Sequence, residues 1–151
     1  MRTATLMLVL LGSTLVAEAG VEEKKQRDAI DEAAAKAAAD IKDCGRKFTV
    51  IYDWKAFDGI DWAGIKREKR EYYGLEHSNL MELGKGLNKL CADKDYKAAF
   101  VKIDKIVYRA TNNEAIRVKA VISGSTMTLD NYSFGSTRGA DDYEGAAKAA
   151  L

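Results

Sequence analysis

From Glu22 to Asp43 the apolar positions recur at the helical spacing, with Ile30, Ala33, Ala34, Ala37 and Ile41 on one stripe. The stripe is built from small side chains, so the helix it predicts can lie close to a neighbour while burying little area. Gly45 is placed to stop it. Between Lys47 and Trp54 the period changes to two. Phe48, Val50, Tyr52 and Trp54 point one way, Lys47, Thr49 and Asp53 the other, and Ile51 is the exception, which is the pattern of a half-buried strand. After Gly59, Asp61 can cap a helix that ends at Tyr73 before Gly74. Ser78 can cap the next helix, whose Leu80, Leu83, Leu87, Leu90 and Cys91 share a face. Asp93 can cap a further short helix with Tyr96, Ala99, Phe100 and Ile103 inside.

The remainder alternates. A strand is expected from Ile103 to Ala110, another through Ile116, Val118, Ala120 and Ile122, and a third from Thr126 to Phe134. Asn112-Asn113 and Ser123-Gly124 supply the turns. Asp141 or Asp142 then caps a short terminal helix. The expected fold is α+β: an N-terminal helix, one strand, two to three short helices, a three-stranded antiparallel meander and a short C-terminal helix. Val118 and Ile122 are expected in the core, on the central strand of the meander.

The first nineteen residues have a different pattern. Arg2 is followed by an apolar run from Ala4 to Val16 and by Ala17-Glu18-Ala19, which reads as a signal peptide cleaved before Gly20. The apolar run is short for a membrane span, and the charged stretch from Glu22 to Lys25 follows it closely. Residues 20–151 then form one mature domain, secreted or periplasmic, with no transmembrane segment. Cys44 and Cys91 are an even pair in such a chain and are expected to form a disulfide.

Composition narrows the function classes. Lys and Arg number 24 and Asp and Glu 23, a net of +1, so no strong field recruits nucleic acid. No proline occurs, which excludes a proline-rich linker or ligand segment. No Cys-x-x-Cys or His-x-x-x-His spacing occurs, and neither a metal nor a cofactor is expected. Gly84-Lys85-Gly86 lacks the first glycine and the Ser/Thr of a phosphate loop and is expected to loosen its helix. The run from Lys66 to Glu71 mixes signs, as a solvated helix face does. Asn131-Tyr132-Ser133 is a glycosylation acceptor triplet.

Two groups of residues carry candidate chemistry. Seven of the thirteen aromatic residues fall between Phe48 and Tyr73. Phe48, Tyr52 and Trp54 suffice for a strand-helix core, which leaves Trp62, Tyr72 and Tyr73 as candidate ligand-binding residues for a small ligand or a protein partner. Tyr72 and Tyr73 are adjacent on a helix, so at least one is expected to reach solvent or a groove. The other group is His77, the only histidine, with the carboxylate pairs Asp58 and Asp61, Asp93 and Asp95, and Asp141 and Asp142. A non-catalytic binding domain is the first reading. A small hydrolase would need His77 and two of those carboxylates in one pocket. An envelope-associated structural protein would need the N-terminal helix detached as a spacer.

Overall fold

The computed structural model describes residues 7–65 and 68–151, with side chains from residue 19 onward. The first part of the signal-like segment, with Arg2, and the Lys66-Arg67 part of the mixed-sign run lie outside the described residues. In chain order the elements are α1 (Met7–Asp40), β1 (Thr49–Tyr52), α2 (Trp54–Asp58), a 3₁₀ turn (Trp62–Gly64), α3 (Lys69–Ala92), α4 (Lys94–Phe100), β2 (Lys105–Thr111), β3 (Val118–Ser123), β4 (Thr126–Tyr132) and α5 (Ala140–Ala150). The mixed helix and strand content agrees with an α+β class.

The strands form one mixed sheet in the order β1-β2-β4-β3. β1 pairs parallel to β2, β2 parallel to β4, and β3 antiparallel to β4. The expected three-stranded antiparallel meander is therefore corrected. The Ser123-Gly124 hairpin forms, with Gly124 at φ 59°, but its second strand turns inward and inserts beside β2. Burial explains the choice. β4 presents Met127, Leu129 and Asn131, all wholly buried, whereas β3 offers Val118, Ala120 and Ile122, which are only half-buried. The strand with more surface to bury takes the central place. The connection over residues 112–117 is long enough to pass over β4 to its far side, two strand spacings or about 9.6 Å, and Tyr132 N donates to Arg117 O to close it. Val118 and Ile122 thus lie on an edge strand.

The inward residues of β1, β2 and β4 are Val50, Tyr52, Ile106, Tyr108, Ala110, Met127, Leu129 and Asn131. They meet a layer of helices in which α3 packs between α1 and α5. The other sheet face, with Thr49, Ile51, Lys105 and Arg109, is exposed. Ile30, Ala33, Ala34 and Ala37 of α1 and Ile41 just after it are all buried, so the small stripe does dock. Gly84 shows why it can approach so closely. A Cβ there would lie 2.8 Å from the Ala37 carbonyl oxygen, and one at Gly86 would lie 2.3 Å from that of Ala140. The two glycines seat α1 and α5 on opposite flanks of α3 rather than loosening it.

α3 is one helix through Gly74, not two. Its buried face continues across the glycine through Tyr72, Tyr73, Glu76, Leu80, Leu83, Leu87 and Leu90. That packing outweighs the cost of an interior glycine, about 1 kcal/mol. Ser78 does not cap a helix; its hydroxyl donates to Gly74 O at 3.0 Å. Asp61 caps only the 3₁₀ turn, accepting from Ala63 N at 3.1 Å. Asp53 caps α2, Asp93 caps α4 and Asp142 accepts from Gly139 N at the start of α5. Cys44, in the turn after α1, is disulfide-bonded to Cys91 near the end of α3. No helix among the described residues is long and apolar enough to cross a membrane.

Candidate functional site

Three parallel strands end on the same side of the sheet, at Tyr52, Thr111 and Tyr132. In sheets of this kind the loops diverge beyond the carboxyl ends and leave a crevice. Here the segment after β1 rises through α2 and the 3₁₀ turn, and the β2–β3 connection rises opposite. Between them lies a cleft of about 520 Å³. Ala56, Ile60 and Ile116 give it an apolar lining, and Asp61, Arg109, Asn112 and Asp130 give it polar groups. Strand pairing fixes the central pair: Arg109 and Asp130 are register partners on β2 and β4. The guanidinium donates to the carboxylate twice, at 2.5 and 2.9 Å. That hydrogen bonding holds Arg109 firmly charged, its pKa raised above the usual guanidinium value.

Trp62 follows Asp61 and is half-buried at this end of the molecule. Its Nε1 donates to Phe57 O at 3.2 Å, and its ring packs on Phe57, Tyr72 and Phe134. Tyr72 is 2% exposed and Tyr73 5%, so neither reaches open solvent, while Tyr73 lines a cavity beside α1. α3 is covered on two sides here, and each ring finds its own aromatic wall: Tyr72 against Trp62 and Phe134, Tyr73 against Trp54 and Phe57.

The Tyr73 hydroxyl points toward α1 and donates to Glu23 Oε1 at 2.9 Å. Burial first, and this hydrogen bond second, push its pKa up to about 12. Arg27 donates to both Glu23 and Asp58, and Lys69 donates to Asp58 at 2.7 Å. Arg27 is also the main cause of the lowered pKa values of Glu23 and Asp58. The Arg27 guanidinium lies 4.6 Å from the centre of the Trp54 ring, whose Nε1 donates to Asp31. This network pins residues 23–31 of α1 to α2 and α3. A second cavity, about 410 Å³, borders it with Ala19, Glu22, Glu68, Lys69 and Tyr73 on its walls.

His77 is exposed in a polar depression with Ser78, Met81, Glu82, Thr137, Arg138 and Gly139. None of the three carboxylate pairs joins it. Asp58 is held by Arg27 and Lys69, Asp93 by Lys148, and Asp142 by Arg117, while Asp141 accepts from Lys89. Among the described residues no group of three or more His, Cys, Asp or Glu converges to hold a metal ion. Asn131 is wholly buried and donates to Tyr108 Oη at 2.6 Å and to Ser133 Oγ at 3.0 Å, so the fold leaves no room for a glycan there.

The sequence reading missed the most unusual residue. Glu76 is 0% exposed, on the inner face of α3. Its signal was positional: it lies four residues before Leu80 and seven before Leu83, on the leucine face. Asn79 is buried beside it in the same helix, and its Oδ1 accepts from Arg138 N at 2.8 Å. Comparison with protein-family models, with curated proteins and with solved structures finds no match to this chain.

Proposed function

We propose that this chain is an exported binding domain, beginning at Gly20, that takes a polar small ligand or the polar tip of a partner in the cleft at the carboxyl ends of β1, β2 and β4. The observation that carries the reading is the Arg109–Asp130 pair in a cleft of about 520 Å³ whose lining is more polar than apolar. Oriented polar groups fix a ligand's position in a cleft of this size, and a mainly polar lining suits a polar ligand. Trp62, next in the chain to the lining residue Asp61, packs on Phe57, Tyr72 and Phe134 and so holds that wall in place. Export is supported by the Cys44–Cys91 disulfide and by where docking begins. Among the described side chains, Glu23 is the first of α1 with a hydrogen bond to α3, and it lies beyond the proposed cleavage after Ala19. The same docking argues against a free spacer helix, and the dispersed carboxylates argue against the hydrolase.

The test is a solute and peptide screen followed by nuclear magnetic resonance chemical-shift mapping on the disulfide-bonded chain. Shifts should cluster on Asp61, Arg109, Asn112 and Ile116. Arg109→Ala and Trp62→Ala should weaken binding tenfold or more, a loss of about 1.4 kcal/mol. Lys119→Ala, on the edge strand, should not. Shifts centred elsewhere, or equal affinity in all three variants, would overturn this site. N-terminal sequencing of exported protein should read Gly-Val-Glu-Glu.

A further inference from the structure

Beneath α3, on the sheet face opposite the Arg109–Asp130 pair, lies a cluster of buried polar groups. Glu76 and Asn79 enter it from α3, Tyr52 from β1, Tyr108 from β2, Asn131 and Ser133 from β4 and its end, and Arg138 and Tyr143 from the start of α5. Each is less than nine-hundredths exposed. Seven side-chain atoms there have no hydrogen-bond partner of good geometry: Tyr52 Oη, both Glu76 oxygens, Asn79 Nδ2, Asn131 Oδ1, Arg138 Nε and Tyr143 Oη. Interiors ordinarily leave few such atoms, and here they are gathered at one place.

Glu76 is the group with most at stake. An ionised carboxylate in the interior requires a cation or several hydrogen-bond donors. The groups facing it are the hydroxyls of Ser133, Tyr108 and Tyr52, near enough to favour its charged form to a degree. None of them is a cation. Arg138 shares a neighbour with it in Tyr143, but its guanidinium donates to Tyr132 O at 2.9 Å and to Ser136 Oγ instead. Burial therefore dominates and raises the Glu76 pKa from 4.5 to about 7. A protonated carboxyl gains a donor, which the surrounding hydroxyl and amide oxygens can accept.

We propose that Glu76 is a protonation-controlled lock between the helical layer and the sheet: the protonated carboxyl holds α3 onto β1, β2 and β4, and its ionisation loosens that contact. The sign follows from the raised value. The folded chain holds the Glu76 proton more tightly than the unfolded chain does. The stabilisation is complete below about 4.5 and is lost as the pH rises through about 7. Between those values the folding equilibrium constant falls by up to about tenfold per pH unit.

The experiment is denaturant unfolding of the disulfide-bonded chain from pH 5 to pH 8.5, for the wild type, Glu76→Gln and His77→Asn. The wild type should lose stability across the range. Glu76→Gln, which is neutral at every pH, should lose the slope, and His77→Asn should keep it, because His77 is exposed and lies outside the buried cluster. A flat wild-type profile, or a slope that survives in Glu76→Gln or vanishes in His77→Asn, would overturn the proposal. Should Glu76→Gln fail to fold, carbon-13 spectra of the wild-type glutamate carboxyls decide it. One carboxyl still protonated at pH 6 supports the lock, and all ionised by pH 5.5 contradicts it.

Discussion

The two halves of α3 share a backbone and have opposite interiors. From Leu80 to Cys91 the buried face is dry: four leucines, two glycines that admit neighbouring backbones, and a cysteine bonded to Cys44. From Tyr72 to Asn79 the buried face carries two tyrosines, a carboxyl and an amide. The dry half lies where α1, α3 and α5 are drawn together. The polar half lies over the carboxyl ends of the parallel strands, at the same end as the cleft but on the opposite face of the sheet. One helix thus carries a dry, close-packed half and a half that buries polar groups. Departures from good local packing are expected at functional ends rather than structural ones.

That division can be broken most forcefully in the dry half. Leu83→Ala removes a wholly buried side chain from a close-packed seam. Chemical denaturation should show a loss of about 2–5 kcal/mol. Removal of the disulfide by Cys44→Ser with Cys91→Ser reopens a loop with a sequence separation of 47 residues. It should cost about 2–4 kcal/mol, read from the same unfolding curves.

Two glycines of the same helix sharpen the contrast with opposite signs. Gly86→Ala drives a methyl against the Ala140 backbone and should destabilise by about 1–3 kcal/mol. Gly74→Ala meets nothing within 4 Å and should stabilise by about 0.4–1 kcal/mol, because an exposed helical alanine restricts the unfolded chain. Thermal unfolding of the pair, side by side, checks both. A matching sign would mean that the close approach at Gly86 is not what the glycine serves.

Much of the dry half was legible. The α1 stripe and the α3 leucines were readable from period alone, because both bury one face against a single partner layer. The cysteine pair was readable from count and context. The strand order was not. Adjacent strands usually pair in sequence, and only the amount of surface on β4 compared with β3 reveals that β4 takes the middle. Gly74 and Ser78 looked like a break because local signals punctuate a chain, but the face running from Tyr72 to Leu83 overrides them. Tyr72 and Tyr73 are both buried although adjacent, because a helix covered on both flanks can bury neighbouring side chains in different directions. Arg109 and Asp130 sit twenty-one residues apart in sequence and meet only through β2–β4 pairing, which no local pattern encodes. Glu76 was hidden by its own type, since a glutamate on an apolar stripe reads as a flaw in the stripe.

Native-state hydrogen exchange along α3 tests the account most directly. Protection factors, corrected for the intrinsic pH dependence of exchange, would be compared at pH 5.5 and pH 8 under conditions that favour the folded state. The account predicts that amides of Leu83 to Cys91 keep their protection at both pH values. Those of Tyr73 to Leu80 should lose protection at pH 8 through local opening around Glu76. Equal protection in both halves at both pH values, or a loss centred on the leucine half, would contradict it.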